Sequence, residues 1–454
     1  MNIILAGCGK IGKTLLSNLI KEKHSITVID LSDEVVKEIS NSFDVIAIQG
    51  NATSYDVLKS ARIERADIFI CTTASDEVNM LGCFIAKKMG AKHTVARVRD
   101  EEYSSSNFDY IKNQLGLSMA INPELTTAHY IYNLLNLPSA TKVETFTARA
   151  FELAEFIIKD NASITDIPLY ELRKKINYNF LVCIVRRGKT TYIPDGNFKL
   201  AIGDKISILS PFAKTSKLVK ALGFEQKPIK SAMIIGASKI SKYLCELLSL
   251  SKTPVTVIEK DGDKALSFTK SLKNGTTVVK GDGMNQDLLL EHGIEDIDSF
   301  ISLTNKDEQN ILTSIYAKNK GVAKVITKIN KNELGDMSSS LDLDSIVSPK
   351  NIIADNILRY VRALENSEGS KIETLYTLMD KTAEAIEFTA SEDFNFANIP
   401  LKDLKIKKDV LIAGIIRNGE AFIPCGTDVL LPSDKIIIIS KSQQIKDLSN
   451  AFLK

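Results

Sequence analysis

The stretch MNIILAGCGKIGKTLLSNL, residues 1–19, decides the fold. An apolar run, Ile3-Ile4-Leu5-Ala6, leads into Gly7-Cys8-Gly9-Lys10-Ile11-Gly12. Ile11, Leu15, Leu16, Leu19 and Ile20 then recur at helical spacing. A strand, a glycine loop and an amphipathic helix in this order open a dinucleotide-binding βαβ unit. Gly7 permits the tight turn, Gly9 lets a pyrophosphate approach the backbone, and Gly12 lets the helix pack close to the sheet. The helix N-terminus offers unpaired N–H groups and about half a positive charge, and so attracts phosphates. Asp30 closes the next apolar run, where an acid accepts hydrogen bonds from ribose hydroxyls and disfavours a 2′-phosphate. The expected ligands are NAD(H), ATP or ADP rather than NADP.

Downstream, short apolar runs keep alternating with amphipathic stretches, which predicts a parallel sheet covered by helices. Strands are expected near 2–6, 25–30, 44–49, 67–71, 93–98 and 118–121, and helices near 11–22, 33–40, 54–60, 76–89 and 101–114. Ligands of open α/β sheets bind at the carboxyl ends of the strands. Those ends carry Asn51, Ala52 and Thr53, then Thr72 and Thr73, and Arg97 in the fifth strand. Arg97 is assigned to phosphate contact by charge and position. Asp76 and Glu77 are read as helix N-terminal acids that complement the dipole.

The chain then repeats itself. SAMIIGASKISKYLCELL (231–248) echoes the opening, and TVVKGDGMNQDLLLEHGIEDIDSFISLTNKDEQN (277–310) echoes residues 45–79. INPELTTAHYIYNLL (121–135) pairs with VSPKNIIADNILRYV (347–361), and residues 180–209 pair with 410–439. Matches in one order, at an offset near ~230 residues, mean duplication of a single unit. Each unit divides into an α/β part and a smaller β-rich part. The predicted fold is therefore α/β: tandem Rossmann-like, doubly wound parallel-sheet domains, each followed by a small α+β domain. The expected boundaries are 1–137, 138–226, 227–363 and 364–454, with short polar linkers at 224–230 and 365–370.

The second copy keeps the frame and loses the glycines. Gly236-Ala237-Ser238-Lys239-Ile240-Ser241 retains only the first of them, Glu259 stands where Asp30 stands, and Lys328 replaces Arg97. Glu259 remains a candidate ribose acceptor in a weaker or altered second site.

Composition sets the outer limits. At roughly 150 residues per domain, 454 residues allow about three domains. Lys+Arg 58 against Asp+Glu 56 leaves +2, without the basic stripe of a nucleic-acid binder. The six cysteines form no C-x-x-C pair and read as buried thiols of a reducing compartment. Four scattered histidines make a zinc site or a His-based catalytic centre a poor expectation. The apolar runs are shorter than a membrane span needs, and the start lacks a secretory apolar core, so neither anchor nor export signal is expected.

GCGKIG, Asp30, GNAT (50–53), CTTASDEVN (71–79) and ARVR (96–99) resemble the first half of the TrkA-type regulatory proteins of bacterial potassium uptake. LTNKDEQN (303–310) and SPKNIIADNILRYVRA (348–363) resemble the second half. The resemblance runs the whole length and includes the four-module order of tandem RCK (KTN) domains. It implies a non-enzymatic gating ring, usually a homo-tetramer of such double chains. The ring would sit on the cytoplasmic face of the membrane, docked on a membrane-embedded K+ transporter subunit (TrkH-, TrkG- or KtrB-like). NAD(H), ATP or ADP would act there as regulatory ligands. It also implies that the segments opening at Pro123 and Pro349 cross to a neighbouring domain. The residues alone leave two alternatives: an NAD-dependent oxidoreductase, and a soluble nucleotide or redox sensor without a membrane partner. The first lacks an evident proton-transfer group.

Overall fold

The computed structural model describes all residues except 105–107, 147–149, 160–163, 225–226, 273–274, 332–333, 335–342, 344, 368–371, 380–381, 442–444, 446 and 454. The first lobe is built on six strands, β1 (Asn2–Ala6), β2 (Ser25–Asp30), β3 (Ile46–Gln49), β4 (Ile68–Cys71), β5 (His93–Arg97) and β6 (Met119–Ile121). They run parallel in the order β3-β2-β1-β4-β5-β6. The order reverses beside β1, and that is where a doubly wound sheet opens its crevice.

Helices α1 (Lys10–Lys21), α2 (Asp33–Ser42), α3 (Tyr55–Ser60), α4 (Asp76–Lys88), α5 (Phe108–Gln114) and α6 (Pro123–Asn136) connect and cover the sheet. Their starts follow local chemistry. Ser32 and Ser75 cap α2 and α4 by accepting the N–H groups of Val35 and Val78, and Asn122 caps α6 just ahead of Pro123. Helix α1 instead begins at Gly9 with no side-chain cap. It is held by its apolar stripe: Leu15, Leu16 and Leu19 are fully buried, each worth about 1.5–3 kcal/mol. The helix expected over 101–114 is a 3₁₀ turn at Glu101–Ser104 followed by α5, with 105–107 outside the described residues.

The second lobe repeats the plan with β12 (Ala232–Ile235), β13 (Val255–Glu259), β14 (Thr276–Lys280), β15 (Ser299–Ser302), β16 (Lys324–Lys328) and β17 (Ser345–Val347) in the same parallel order. Its helices are α9 (Lys239–Leu250), α10 (Gly262–Ser271), α11 (Gln286–Glu291), α12 (Asp307–Asn319) and α13 (Pro349–Ser367). Between the lobes lies an antiparallel sheet of β7 (Lys142–Phe146), β8 (Phe151–Ile157), β9 (Leu181–Arg187), β10 (Thr190–Tyr192) and β11 (Lys205–Pro211), with helices α7 (Leu169–Lys175) and α8 (Thr215–Ala221). A matching sheet of β18 (Ile372–Leu378), β19 (Ala383–Thr389), β20 (Val410–Arg417), β21 (Glu420–Phe422) and β22 (Lys435–Ser440) ends the chain. The strand order of the two small sheets is equivalent, so the duplication is structural as well as sequential.

The copies are interlocked. Helix α6 leaves the first lobe and packs on α9, where Ile131, Leu134 and Leu135 share a core with Leu244 and Leu248. Helix α13 leaves the second lobe and packs on α1, joining Ile353, Ile357 and Val361 to Leu15 and Leu19. The small sheets meet face to face through Phe146, Phe151 and Leu209 against Tyr376, Leu378 and Ile437, with the Phe146 and Tyr376 rings 4.0 Å apart. Two expectations for linkers need correction. Helix α13 runs through Glu365 to Ser367, past the expected boundary at 363/364. Phe224, the first residue of the expected short polar linker, stacks on Phe156 at 4.8 Å, so it belongs to the small-domain core rather than to the linker. No described helix is long and apolar enough to cross a membrane.

Candidate functional site

The first crevice forms where β1 ends. Gly7 sits at φ +88°, and a Cβ there would lie 2.7 Å from the Thr73 nitrogen. A Cβ on Gly12 would fall 2.2 Å from the Gly7 carbonyl oxygen, so both positions exclude a side chain by contact. Gly9 is different, since a Cβ there meets nothing within 4 Å. The space over Gly9 opens onto the uncapped N-terminus of α1. Unclaimed N–H groups at a helix N-terminus beside open space suit an anion.

The loop is held from two sides. Thr72 Oγ1 donates to the Gly7 carbonyl at 2.8 Å. Asp30 Oδ2 accepts the Cys8 N–H at 2.7 Å, and its Oδ1 accepts the Ser32 N–H at 2.9 Å. The carboxylate expected to meet ribose thus also anchors the glycine loop, with a further lone pair on each oxygen for a ligand. The Cys8 side chain is fully buried among the core residues behind the loop, and burial pushes its thiol up to about 12, with Asp30 adding to the effect. Ile11 is partly buried against the same core, and the Cys8 N–H is already taken by Asp30. Lys10, the first residue of α1, is exposed.

Thr73, Asn79 and Arg97 form a knot at the ends of β4 and β5. Asn79 is fully buried; its Oδ1 accepts the Thr73 N–H at 2.8 Å, and its Nδ2 donates to the Arg97 carbonyl at 2.9 Å. Arg97 Nη1 donates to the Thr73 carbonyl at 3.0 Å, whereas its buried Nε has no partner among the described residues. Burial holds the guanidinium below its ordinary value, Arg99 adds to this, and Glu124 and Asp76 oppose it. A half-buried cation with a free donor favours an arriving anion.

Other predicted residues are occupied locally. Asn51 Oδ1 accepts both the N–H and the hydroxyl of Thr53, closing a turn after β3. Ala52 is buried, and its carbonyl lies under Gly82 of α4. Asp76 Oδ2 accepts the N–H groups of Arg99 and Asp100, which makes it a loop anchor rather than a ligand group. The structure therefore gathers Gly7, Gly9, Gly12, Asp30, Thr72, Thr73 and Arg97 at one crevice. Glu259 belongs to the other.

That second crevice is built differently. Ser238 caps α9 by accepting the Ser241 N–H at 3.2 Å, and Ser241 Oγ donates to the Gly236 carbonyl at 2.6 Å. Glu259 repeats the anchor of Asp30, with Oε2 accepting the Ala237 N–H at 2.8 Å and Oε1 the Asp261 N–H at 3.1 Å. Lys264 Nζ adds an ion pair at 2.9 Å. Asn310 repeats the knot of Asn79, with Oδ1 receiving the Thr304 N–H and Nδ2 donating to the Lys328 carbonyl at 2.9 Å. Sequence reasoning gave Asn79 and Asn310 no role, although their recurrence at equivalent positions of both copies was available as a signal.

The TrkA-N domain family matches residues 3–123 and 232–349, and the TrkA-C domain family matches 385–453. A protein of Archaeoglobus fulgidus named Trk system potassium uptake protein TrkA homolog is 28% identical over 453 residues, covering all of both chains. The Trk system potassium uptake protein TrkA of Azorhizobium caulinodans is 26% identical, covering 100% of this chain and 98% of its own. Among solved structures, the GsuK channel bound to NAD superposes with a TM-score of 0.63 at 17% identity, over 97% of this chain and 77% of that one. The chain belongs to the TrkA family, built here from two TrkA-N domains and a C-terminal TrkA-C domain.

Proposed function

We propose that this chain is the cytoplasmic, non-enzymatic regulatory subunit of a bacterial potassium uptake system. It would gate a membrane-embedded K+ transporter subunit in response to NAD(H), ATP or ADP held in the first crevice. The observation that carries this reading is the open space above Gly9, at an uncapped helix N-terminus, near the half-buried Arg97 with an unused donor. Relatives named for potassium uptake match along their full length, and one solved neighbour in fold carries NAD. We assign Gly9 and the N–H groups of Lys10 and Ile11 to the phosphates, Asp30 to the ribose and Arg97 to negative charge, with Gly7, Cys8 and Gly12 holding the loop in shape through their own contacts. Four modules at 1–137, 138–226, 227–363 and 364–454 complete the reading, with a homo-tetrameric ring at the membrane face.

The packing suggests how occupancy would travel. The N-terminus of α1 meets the ligand, and its buried face meets α13. Arg359 of α13 lies 3.5 Å from Glu144 of β7 and stacks 4.7 Å from the Tyr376 ring of β18. A small shift of α1 would therefore reach both small sheets through one helix. A ligand biases such a body only by its differential affinity for two states, typically about 1–3 kcal/mol.

The test is a titration of the full chain with NADH, ADP and ATP beside Gly9→Val. A ligand at ~100 times its dissociation constant stabilises the protein by about 2.7 kcal/mol. We expect that shift for at least one nucleotide and its loss in Gly9→Val, whose own unfolding is unchanged. Flat responses to all three nucleotides refute the proposal, as does sustained NADH turnover.

A further inference from the structure

The second crevice contains a cavity of ≈ 240 Å³ at the carboxyl ends of β13, β14 and β15. Its glycine loop is altered: Ser238 takes the Ser241 N–H, and the Ser238 and Ser241 hydroxyls bond each other, so the loop offers a phosphate fewer free N–H groups than the first one does. The cavity reaches from Gly236 and Ser238 to the edge of β13, where a doubly wound sheet receives the ribose. The charges around that edge differ from those of the first lobe. Leu31, Val35 and Ser75 follow Asp30 and β4 in the first copy, and Lys260, Lys264 and Lys306 take their places in the second. All three lysines line the cavity together with Glu259, Asp282 and Thr304.

Glu259 would by itself repel a phosphate, as Asp30 is expected to do. It is nearly buried, holds two backbone N–H groups and is neutralised by Lys264 at 2.9 Å. Lys260 pairs with Asp282 at 2.7 Å on the surface, with 72% of its side chain exposed. An exposed pair of that kind is worth about 0–1 kcal/mol and is readily exchanged for a dianion. Lys306 makes no ion pair among the described residues. An excess of cations beside the ribose acid is the arrangement that accepts a 2′-phosphate.

We propose that the second crevice binds a ribonucleotide through a phosphate on its ribose 2′ position, the group that distinguishes NADP from NAD. The two lobes would then read different ligands: the first a 5′-diphosphate over its glycine loop, the second a 2′-phosphate at its strand edge. This assignment stands whether or not the first crevice binds NADH.

The probe is 2′-AMP, titrated calorimetrically into the full chain, with 5′-AMP as comparison. We expect one 2′-AMP per chain, bound with equal affinity in Gly9→Val. The Lys260→Ala/Lys306→Ala double variant should bind it at least about tenfold more weakly, a loss of ~1.4 kcal/mol. Both lysines are exposed, so this variant is expected to keep the wild-type unfolding curve. A flat titration at millimolar 2′-AMP overturns the proposal. So does 2′-AMP binding that is lost in Gly9→Val but kept in the double variant, or a site that takes 5′-AMP equally well.

Discussion

Ser241 Oγ donates to the Gly236 carbonyl at 2.6 Å, in the place where Gly12 meets the Gly7 carbonyl with no room for a Cβ. The same loop thus has two solutions, one closed by contact and one closed by a hydroxyl. The difference is visible at its first glycine. A Cβ on Gly7 would meet the Thr73 nitrogen at 2.7 Å, and one on Gly236 would meet the Thr304 nitrogen at 3.2 Å. Gly12→Ala should therefore force backbone apart and destabilise the protein by about 1–3 kcal/mol. Ser241→Gly should cost about 1–2 kcal/mol, from a lost hydrogen bond and the helix propensity of glycine. Urea denaturation of both variants beside Gly9→Ala checks this. Gly9→Ala should be nearly silent, and a Gly12→Ala curve coincident with wild type would contradict the contact argument.

Asp30 serves ribose and loop at once, so its removal should do two things. Losing the bonds from the Cys8 and Ser32 N–H groups should cost about 1–3 kcal/mol of stability, because both go to a charged acceptor. The freed loop should also bind phosphate groups less well. Asp30→Ala is therefore expected to weaken ADP at least about tenfold and to weaken tripolyphosphate measurably. Titration with both ligands separates the roles: an unchanged tripolyphosphate affinity would confine Asp30 to the ribose.

Much of this was legible in the chain, for physical reasons. The parallel sheet follows from alternating apolar and amphipathic runs, and the start of α6 from Pro123, whereas the strand order and the caps at Ser32, Ser75 and Asn122 are seen only in the structure. The duplication predicted two lobes of one design. What the pattern could not carry is long-range. No local signal says that Asp30 binds Cys8, or which residues of α13 meet α1; the crossing itself comes only from the family resemblance, since such contacts join segments far apart. That Ser238 caps its own helix is visible only with the geometry. The lysines at 260, 264 and 306 meet at one cavity only once β13, β14 and β15 are side by side.

The joint between lobes should respond to acid. Arg362 of α13 donates through Nε to Glu22 at 2.8 Å, and His24 Nε2 lies 3.5 Å from the other Glu22 oxygen. Burial acts to raise the Glu22 carboxyl, but the bonds from His24 and Arg362 outweigh it and hold the group below its ordinary value. A depressed carboxylate contributes stability above its unfolded value, near ~4.3, that is lost as pH falls through the lower folded value. Glu22→Gln should flatten that acid limb and cost about 1–3 kcal/mol at neutral pH. Denaturation midpoints from pH 3 to 7 are the measurement, and parallel curves would remove Glu22 from the account.

Lys328 predicts the opposite limb. It occupies the strand position of Arg97 but is almost fully buried, and its ammonium lies 3.3 Å from the Leu303 carbonyl. Burial pulls its pKa down to about 8; Asp307 opposes this, while Lys10 and Lys264 reinforce it. A base depressed in the folded state sheds a proton that the unfolded chain retains, so folding is penalised below that value. Stability should therefore rise as pH climbs from about 8 toward the ordinary lysine value near ~10.4. Lys328→Met keeps the length of the side chain and removes the charge. It should stabilise the protein at pH 7 by about 1–2 kcal/mol and abolish the alkaline rise. If the variant is instead less stable at pH 7 and keeps the same alkaline slope, the ammonium is satisfied in place and the penalty lies elsewhere.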